Sequence, residues 1–149
     1  MQWTAESPNA GFCKENVKPW MRVNDDYPFI NARMQMHQNG GGLSIFQFWA
    51  RCIQDRKKYK ESFIYGDFAL IGDDSEESPV FAYKRWSQVE AWVVILNFSE
   101  TEVNWSLPPS IHVKQWEVGN YFVDMPDKIL KGELLLQPWE GLLGRISDD

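Results

Sequence analysis

The sequence predicts a mainly β protein: an antiparallel β-sandwich preceded by a long loop and one helix. Three observations carry this. Residues 91–98 (Ala-Trp-Val-Val-Ile-Leu-Asn-Phe) form a short apolar run without Gly or Pro, bounded by polar residues. A strand covered on both faces reads this way, and Val-Val-Ile favours strand over helix. Around it, short β-branched and aromatic stretches recur between turn signals from Ser62 onward. Ahead of it, apolar residues at three-and-four spacing run from Leu43 to about Lys60, which argues one amphipathic helix.

Residues 1–42 read as a long irregular segment, punctuated by Pro8, Gly11, Pro19, Pro28 and Gly40-Gly41-Gly42. A loop of this length is uncommon in a compact domain and marks a functional loop or a piece of a larger object. Trp3, Phe12, Trp20, Tyr27 and Phe29 within it are expected to seek burial. The helix follows, with Ser44 as its N-cap. Ile45, Phe46, Trp49, Cys52, Ile53 and Arg56 form one broad stripe that needs a large apolar partner. Arg56, Lys57 and Lys58 suit the negative end of the helix dipole.

Strands are predicted at residues 63–71 (interrupted by Gly66-Asp67), 80–86, 91–98, 102–107 and 111–118. Further ones fall at 121–123, 132–137 and 139–146, with Pro138 at an edge or bulge. Residues 72–79 read as an acidic turn, and 87–90 as the link of a hairpin. The chain therefore divides near residue 61, into a loop and helix over 1–61 and an all-β module over 62–149.

A net charge of −6 gives no electrostatic footprint for nucleic acid or an anionic membrane. The basic run Arg56-Lys57-Lys58 with Lys60 sits beside Asp55 and Glu61 and reads as a solvated helix end. The eight Trp read first as core packing. The competing reading is a stand-alone carbohydrate-binding β module, for which Trp86, Trp92, Trp105, Trp116 and Trp139 are the candidates. It requires several of these rings exposed and coplanar. Cys13 and Cys52 fit no CxxC or metal spacing and read as thiols of a reducing, cytoplasmic compartment. His37 and His112 have no ligand partner at helical spacing, so no metal or cofactor is expected. Residues 1–30 carry no leader pattern, and no window approaches the ~20 apolar residues of a membrane span.

Three groups of residues carry a family resemblance. The first is Met1-Gln2-Trp3, with Ser7-Pro8-Asn9-Ala10-Gly11-Phe12 and Lys18-Pro19-Trp20-Met21-Arg22-Val23-Asn24. The second is the helix leading into Tyr65-Gly66-Asp67-Phe68. The third is Val94-Ile95-Leu96-Asn97-Phe98-Ser99 and Leu136-Gln137-Pro138-Trp139-Glu140. Together they resemble the α-glucosidase and oligo-1,6-glucosidase branch of glycoside hydrolase family 13, in its fungal maltase and isomaltase form. The opening motif is specific; the strand motifs are weaker alone. Gly40-Gly41-Gly42 departs from the polar segment usual before that helix.

The resemblance implies a (β/α)8 barrel followed by an antiparallel β domain. Residues 1–61 then correspond to the last βα loop and final helix of the barrel, and 62–149 to the β domain. The loop would lie on the active-site rim, where barrel βα loops gather. Gln2 and Trp3 would border the sugar pocket of an intact enzyme acting on maltose- or isomaltose-type oligosaccharides; packing of Trp3 within the loop is the alternative. Retaining hydrolysis needs two carboxylates about 5–5.5 Å apart. The family supplies these, and a helper Asp, from barrel strands that correspond to sequence ahead of Met1. Its substrate-binding Arg also precedes the Met-Gln-Trp triplet. Asp25-Asp26, Asp73-Asp74, Glu76-Glu77 and Asp148-Asp149 are no substitute, because neighbours in extended backbone point to opposite faces. No catalytic residue is therefore assigned, and the missing barrel is the expected intramolecular partner.

Overall fold

The computed structural model describes residues 1–39, 41–72, 78–121 and 133–147. The chain forms two compact units, Met1–Arg51 and Cys52–Asp149.

The first unit is an irregular loop that folds back on itself through polar groups. The amide of Asn9 donates to the carbonyls of Lys14 (2.7 Å) and Val17 (3.0 Å). The amide of Asn31 donates to Tyr27 O (2.9 Å), while its oxygen accepts from Met34 N (2.9 Å). That second bond caps α1 (Ala32–Met36), a short helix inside a stretch expected to be irregular throughout. Gly11, at φ +80°, lies so close to Trp3 that a Cβ there would sit 2.9 Å from the tryptophan Cβ. The aromatic residues expected to be buried are mostly not. Trp3, Phe12, Trp20 and Phe29 are exposed, Trp20 at 95%. The buried positions are Gln2, Thr4, Asn9, Ala10, Asn31, Ala32 and Ser44. A core of amides and small side chains holds a backbone path, but it offers no apolar layer in which large rings could pack.

Helix α2 (Ile45–Lys58) begins as predicted. Ser44 Oγ accepts from Gln47 N (3.1 Å), and Gln47 Oε1 accepts from Ser44 N (3.1 Å). This reciprocal pair is a capping box. The helix ends earlier than predicted, at Lys58; Tyr59 interrupts it, and a single turn, α3 (Lys60–Phe63), follows. Along the predicted stripe Ile45, Phe46, Trp49 and Ile53 are exposed, Trp49 at 62%.

Among its described residues the second unit holds seven strands: β1 (Asp67–Ile71), β2 (Val80–Trp86), β3 (Ala91–Asn97), β4 (Val103–Ser106), β5 (Val113–Gly119), β6 (Glu133–Leu136) and β7 (Gly141–Ile146). One antiparallel sheet has the order β1-β2-β3-β7-β5, and β4-β6 form a second. β3 is the middle strand, pairing with β2 on one side and β7 on the other. Its inward residues Ala91, Val93 and Ile95 join Leu134, Leu136, Leu142, Ile146 and Trp116 in one core between the sheets. Its alternate residues face the other way. There Trp92 is fully buried beneath the rings of Tyr59 (4.6 Å) and Phe63 (5.1 Å). Farther out on that face, Phe68, Tyr83 and Phe81 form an aromatic row, with Phe68 and Phe81 exposed. Burial holds the Tyr83 phenol above its ordinary pKa of 10.0, against the pull of Arg85 and Arg56.

Several predicted boundaries move. The strand predicted from residue 63 starts at Asp67, because Arg85 Nε and Nη2 take the carbonyls of Ser62 (3.2 Å) and Gly66 (3.0 Å) and fix a turn there. Pro138 and Trp139 lie in a turn ahead of β7, not in a strand, and Trp139 has φ +57°. Buried Asn97 explains that turn. Its amide donates to Thr101 O (2.8 Å) and Gln137 O (2.9 Å), tying the bend after β3 to the bend before β7. Tyr121 is outside any strand and donates its hydroxyl to Pro138 O. Residues 122–123 and Gly132, part of two predicted strands, lie outside the described residues.

Candidate functional site

The candidate rim lies in the loop unit, and its two predicted residues have opposite surroundings. Gln2 is buried, and its Nε2 donates to Asp26 Oδ1. Its carbonyl accepts from Ala32 N (2.8 Å), and the next carbonyl, of Trp3, accepts from Arg33 N (3.0 Å). Trp3 N in turn donates to Ala10 O (3.0 Å). The opening segment is thus held between the Ala10-Gly11 bend and the start of α1. Trp3 itself is 59% exposed. An indole held on a fixed backbone offers an apolar face and one N–H donor, which suits a ligand with both C–H and hydroxyl surface.

Asp26 was absent from the predicted rim. In the sequence it reads only as half of an acidic pair, and no local pattern signals a partner 24 positions away. The structure separates that pair: Asp25 is engaged by Arg22, Asp26 by Gln2. A side-chain amide donating to a carboxylate fixes where that carboxylate lies. The other acidic pairs, Asp73-Asp74, Glu76-Glu77 and Asp148-Asp149, lie outside the described residues. Across the loop, Arg33 pairs with Glu6 at 2.9 Å, both largely in solvent.

The remaining candidates separate by burial. Trp92 and Trp116 are buried in the β unit, Trp86 and Trp105 are half-buried, and Trp139 is exposed. These five do not make an exposed row of rings. Cys13 donates its thiol to Val17 O (3.2 Å), and both cysteines are thiols. Among the described residues, no group of three His, Cys, Asp or Glu is placed to hold a metal ion. No helix among them is long and apolar enough to cross a membrane.

Comparison with known proteins extends this reading along the chain. The family described as alpha amylase, catalytic domain, matches residues 1–66. An α-glucosidase of Saccharomyces cerevisiae is 37% identical over 144 residues, 95% of this chain and 23% of that protein. The chain is a homologue of the α-glucosidases of glycoside hydrolase family 13. An oligo-1,6-glucosidase of Parageobacillus thermoglucosidasius is 34% identical over 148 residues, 98% of this chain and 24% of its own length. Among solved structures, trehalulose synthase from Pseudomonas mesoacidophila superposes with a TM-score of 0.79 at 27% identity, over 98% of this chain and 24% of that one. Isomaltulose synthase from Erwinia rhapontici, in complex with its natural substrate sucrose, gives 0.78 at 26% identity over 99% and 24%. The chain thus spans about a quarter of the length of these family 13 relatives. The β-rich fold after the helix agrees with the trailing β domain that the sequence resemblance implied.

Proposed function

We propose that this chain is the C-terminal stretch of an α-glucosidase that hydrolyses α-glucosidic bonds of maltose- or isomaltose-type oligosaccharides by a retaining route. Its loop and α2 close the catalytic barrel over residues 1–61, and the β module over 62–149 covers the barrel flank and anchors its last helix. Gln2 and Trp3 border the sugar pocket. Gln2 orients Asp26 and stiffens the rim; Trp3 presents its ring to the sugar. The two reacting carboxylates come from barrel strands aligned ahead of Met1. The observation that carries this is the 37% identity to an α-glucosidase of S. cerevisiae along 95% of the chain. The exposed stripe of α2 supports it, since Ile45, Trp49 and Ile53 need a large apolar surface over them. A cytoplasmic location is part of the proposal, supported by the two thiols.

The test is a chimera in which this chain replaces the matching segment of the S. cerevisiae α-glucosidase. The chimera hydrolyses p-nitrophenyl α-glucoside, and the 149-residue chain alone does not. In the chimera, Trp3→Ala raises KM by about threefold to tenfold with kcat nearly unchanged, the mark of lost ground-state binding. Turnover by the chain alone, or a folded chimera without turnover, overturns the assignment.

A further inference from the structure

A cleft of about 390 Å3 opens in the β unit between α3 and the hairpin that joins β2 to β3. Glu61, Tyr65, Asp67, Trp86, Ser87 and Gln88 contribute its chemistry. We infer that this cleft is a binding site for a neutral saccharide of one or two hexose units.

The composition makes the argument. Tyr65 and Trp86 supply two aromatic rings, and the C–H face of a pyranose stacks on such rings. The carboxylates of Glu61 and Asp67 accept hydrogen bonds from sugar hydroxyls, and Gln88 both donates and accepts. No Lys or Arg lines the cleft, and its two acids oppose an anionic ligand. A small organic cation would also suit rings beside carboxylates. However, the Lys84 ammonium already sits 4.5 Å from the Trp86 ring centroid, so its charge repels a second cation there, and the exposed Tyr65 ring is the main stacking face for a sugar. The volume falls within the roughly 300–1,000 Å3 of small-molecule sites.

The cleft is also built rather than incidental. Asp67 and Trp86 are register partners across β1 and β2, so a carboxylate and an indole share one end of the sheet. Tyr65 is 72% exposed, yet its backbone is fixed by Tyr65 N donating to Lys60 O (3.1 Å) and by Arg85 holding the neighbouring Gly66 carbonyl (3.0 Å). Ser87 is fixed through its hydroxyl contact with Ser62 (3.0 Å). An exposed ring on a rigid turn loses little freedom when a ligand arrives. This differs from a row of exposed tryptophans: one half-buried Trp and one exposed Tyr form the walls.

Surface plasmon resonance on the immobilised full chain tests the inference, with maltose, isomaltose and choline injected separately. The expected result is saturable maltose or isomaltose binding with Kd about 1–10 mM. Tyr65→Ala and Gln88→Ala, both at exposed positions, should each weaken it at least about tenfold, while Trp139→Ala leaves it unchanged. An unaltered circular-dichroism melt for the Tyr65 and Gln88 variants shows that binding, not folding, was lost. Three results overturn the inference: no saturable sugar response below about 50 mM, sugar binding that survives both variants, or a response to choline and none to sugar.

Discussion

Single residues decide where the β unit bends. Gly66 is the sharpest case. A Cβ added there would lie 2.3 Å from Trp86 O, 2.6 Å from Ser62 O and 2.9 Å from Glu61 O. All three are backbone atoms, so no side chain can swing away. Gly66→Ala is therefore expected to cost about 3 kcal/mol in urea-induced unfolding followed by far-ultraviolet circular dichroism. A loss below about 0.5 kcal/mol would mean the α3–β1 turn yields more easily than its contacts imply. At Arg145 a different balance holds. Its guanidinium lies 4.8 Å from the Trp92 ring and 5.4 Å from Tyr59, with Glu90 and Glu117 carboxylates each 3.9 Å away. Ion pairs that long and partly solvated contribute about 0–1 kcal/mol. A partly desolvated cation over a ring contributes up to about 2 kcal/mol. Stacking thus outweighs the ion pairs in holding this arginine over the sheet.

At the scale of elements, α2 is stabilised at its start by polar chemistry and left without cover along its side. The capping box of Ser44 and Gln47 satisfies two N–H groups that the helix cannot. Ser44 Oγ also donates to Gln35 O (2.7 Å), linking the cap to α1. Ser44→Ala should cost about 1–2 kcal/mol, and Ser44→Thr should recover most of it. Thermal unfolding monitored at 222 nm measures both; equal losses for the two would assign the effect to packing rather than capping. Among the strands, β3 needs no such device. It is paired on both edges, buried on one face and largely covered on the other, with Asn97 closing its end.

At the scale of the whole chain, the main liability is apolar surface. Ile45, Trp49 and Ile53 on α2, and Phe68, Leu70 and Phe81 on the β unit, are exposed together with Trp20 and Phe29 of the loop. Exposed apolar area of this extent drives association. The isolated chain is expected to bind an apolar dye such as ANS and to self-associate at micromolar concentration. Trp49→Gln with Ile53→Gln should reduce dye fluorescence by about half, the two being among the larger exposed rings and branched chains. A monodisperse chain that binds no dye would show that these side chains find cover in solution.

The sequence by itself determined the β class, the central position of residues 91–97, the helix with its Ser44 cap, and the kinship with family 13 glucosidases. These rest on local periodicity, capping chemistry and motif identity, all written in neighbouring residues. Only the tertiary structure decided which aromatics are covered. Trp92, within the apolar run, is enclosed by Tyr59, Phe63 and Arg145, whereas Trp3 and Trp20, which also read as seeking burial, stand in solvent. It also decided the partners of Gln2 and Asn97, which lie 24 and 40 positions away. Burial and long-range pairing depend on what arrives from elsewhere in the chain, and a sequence window carries no record of it.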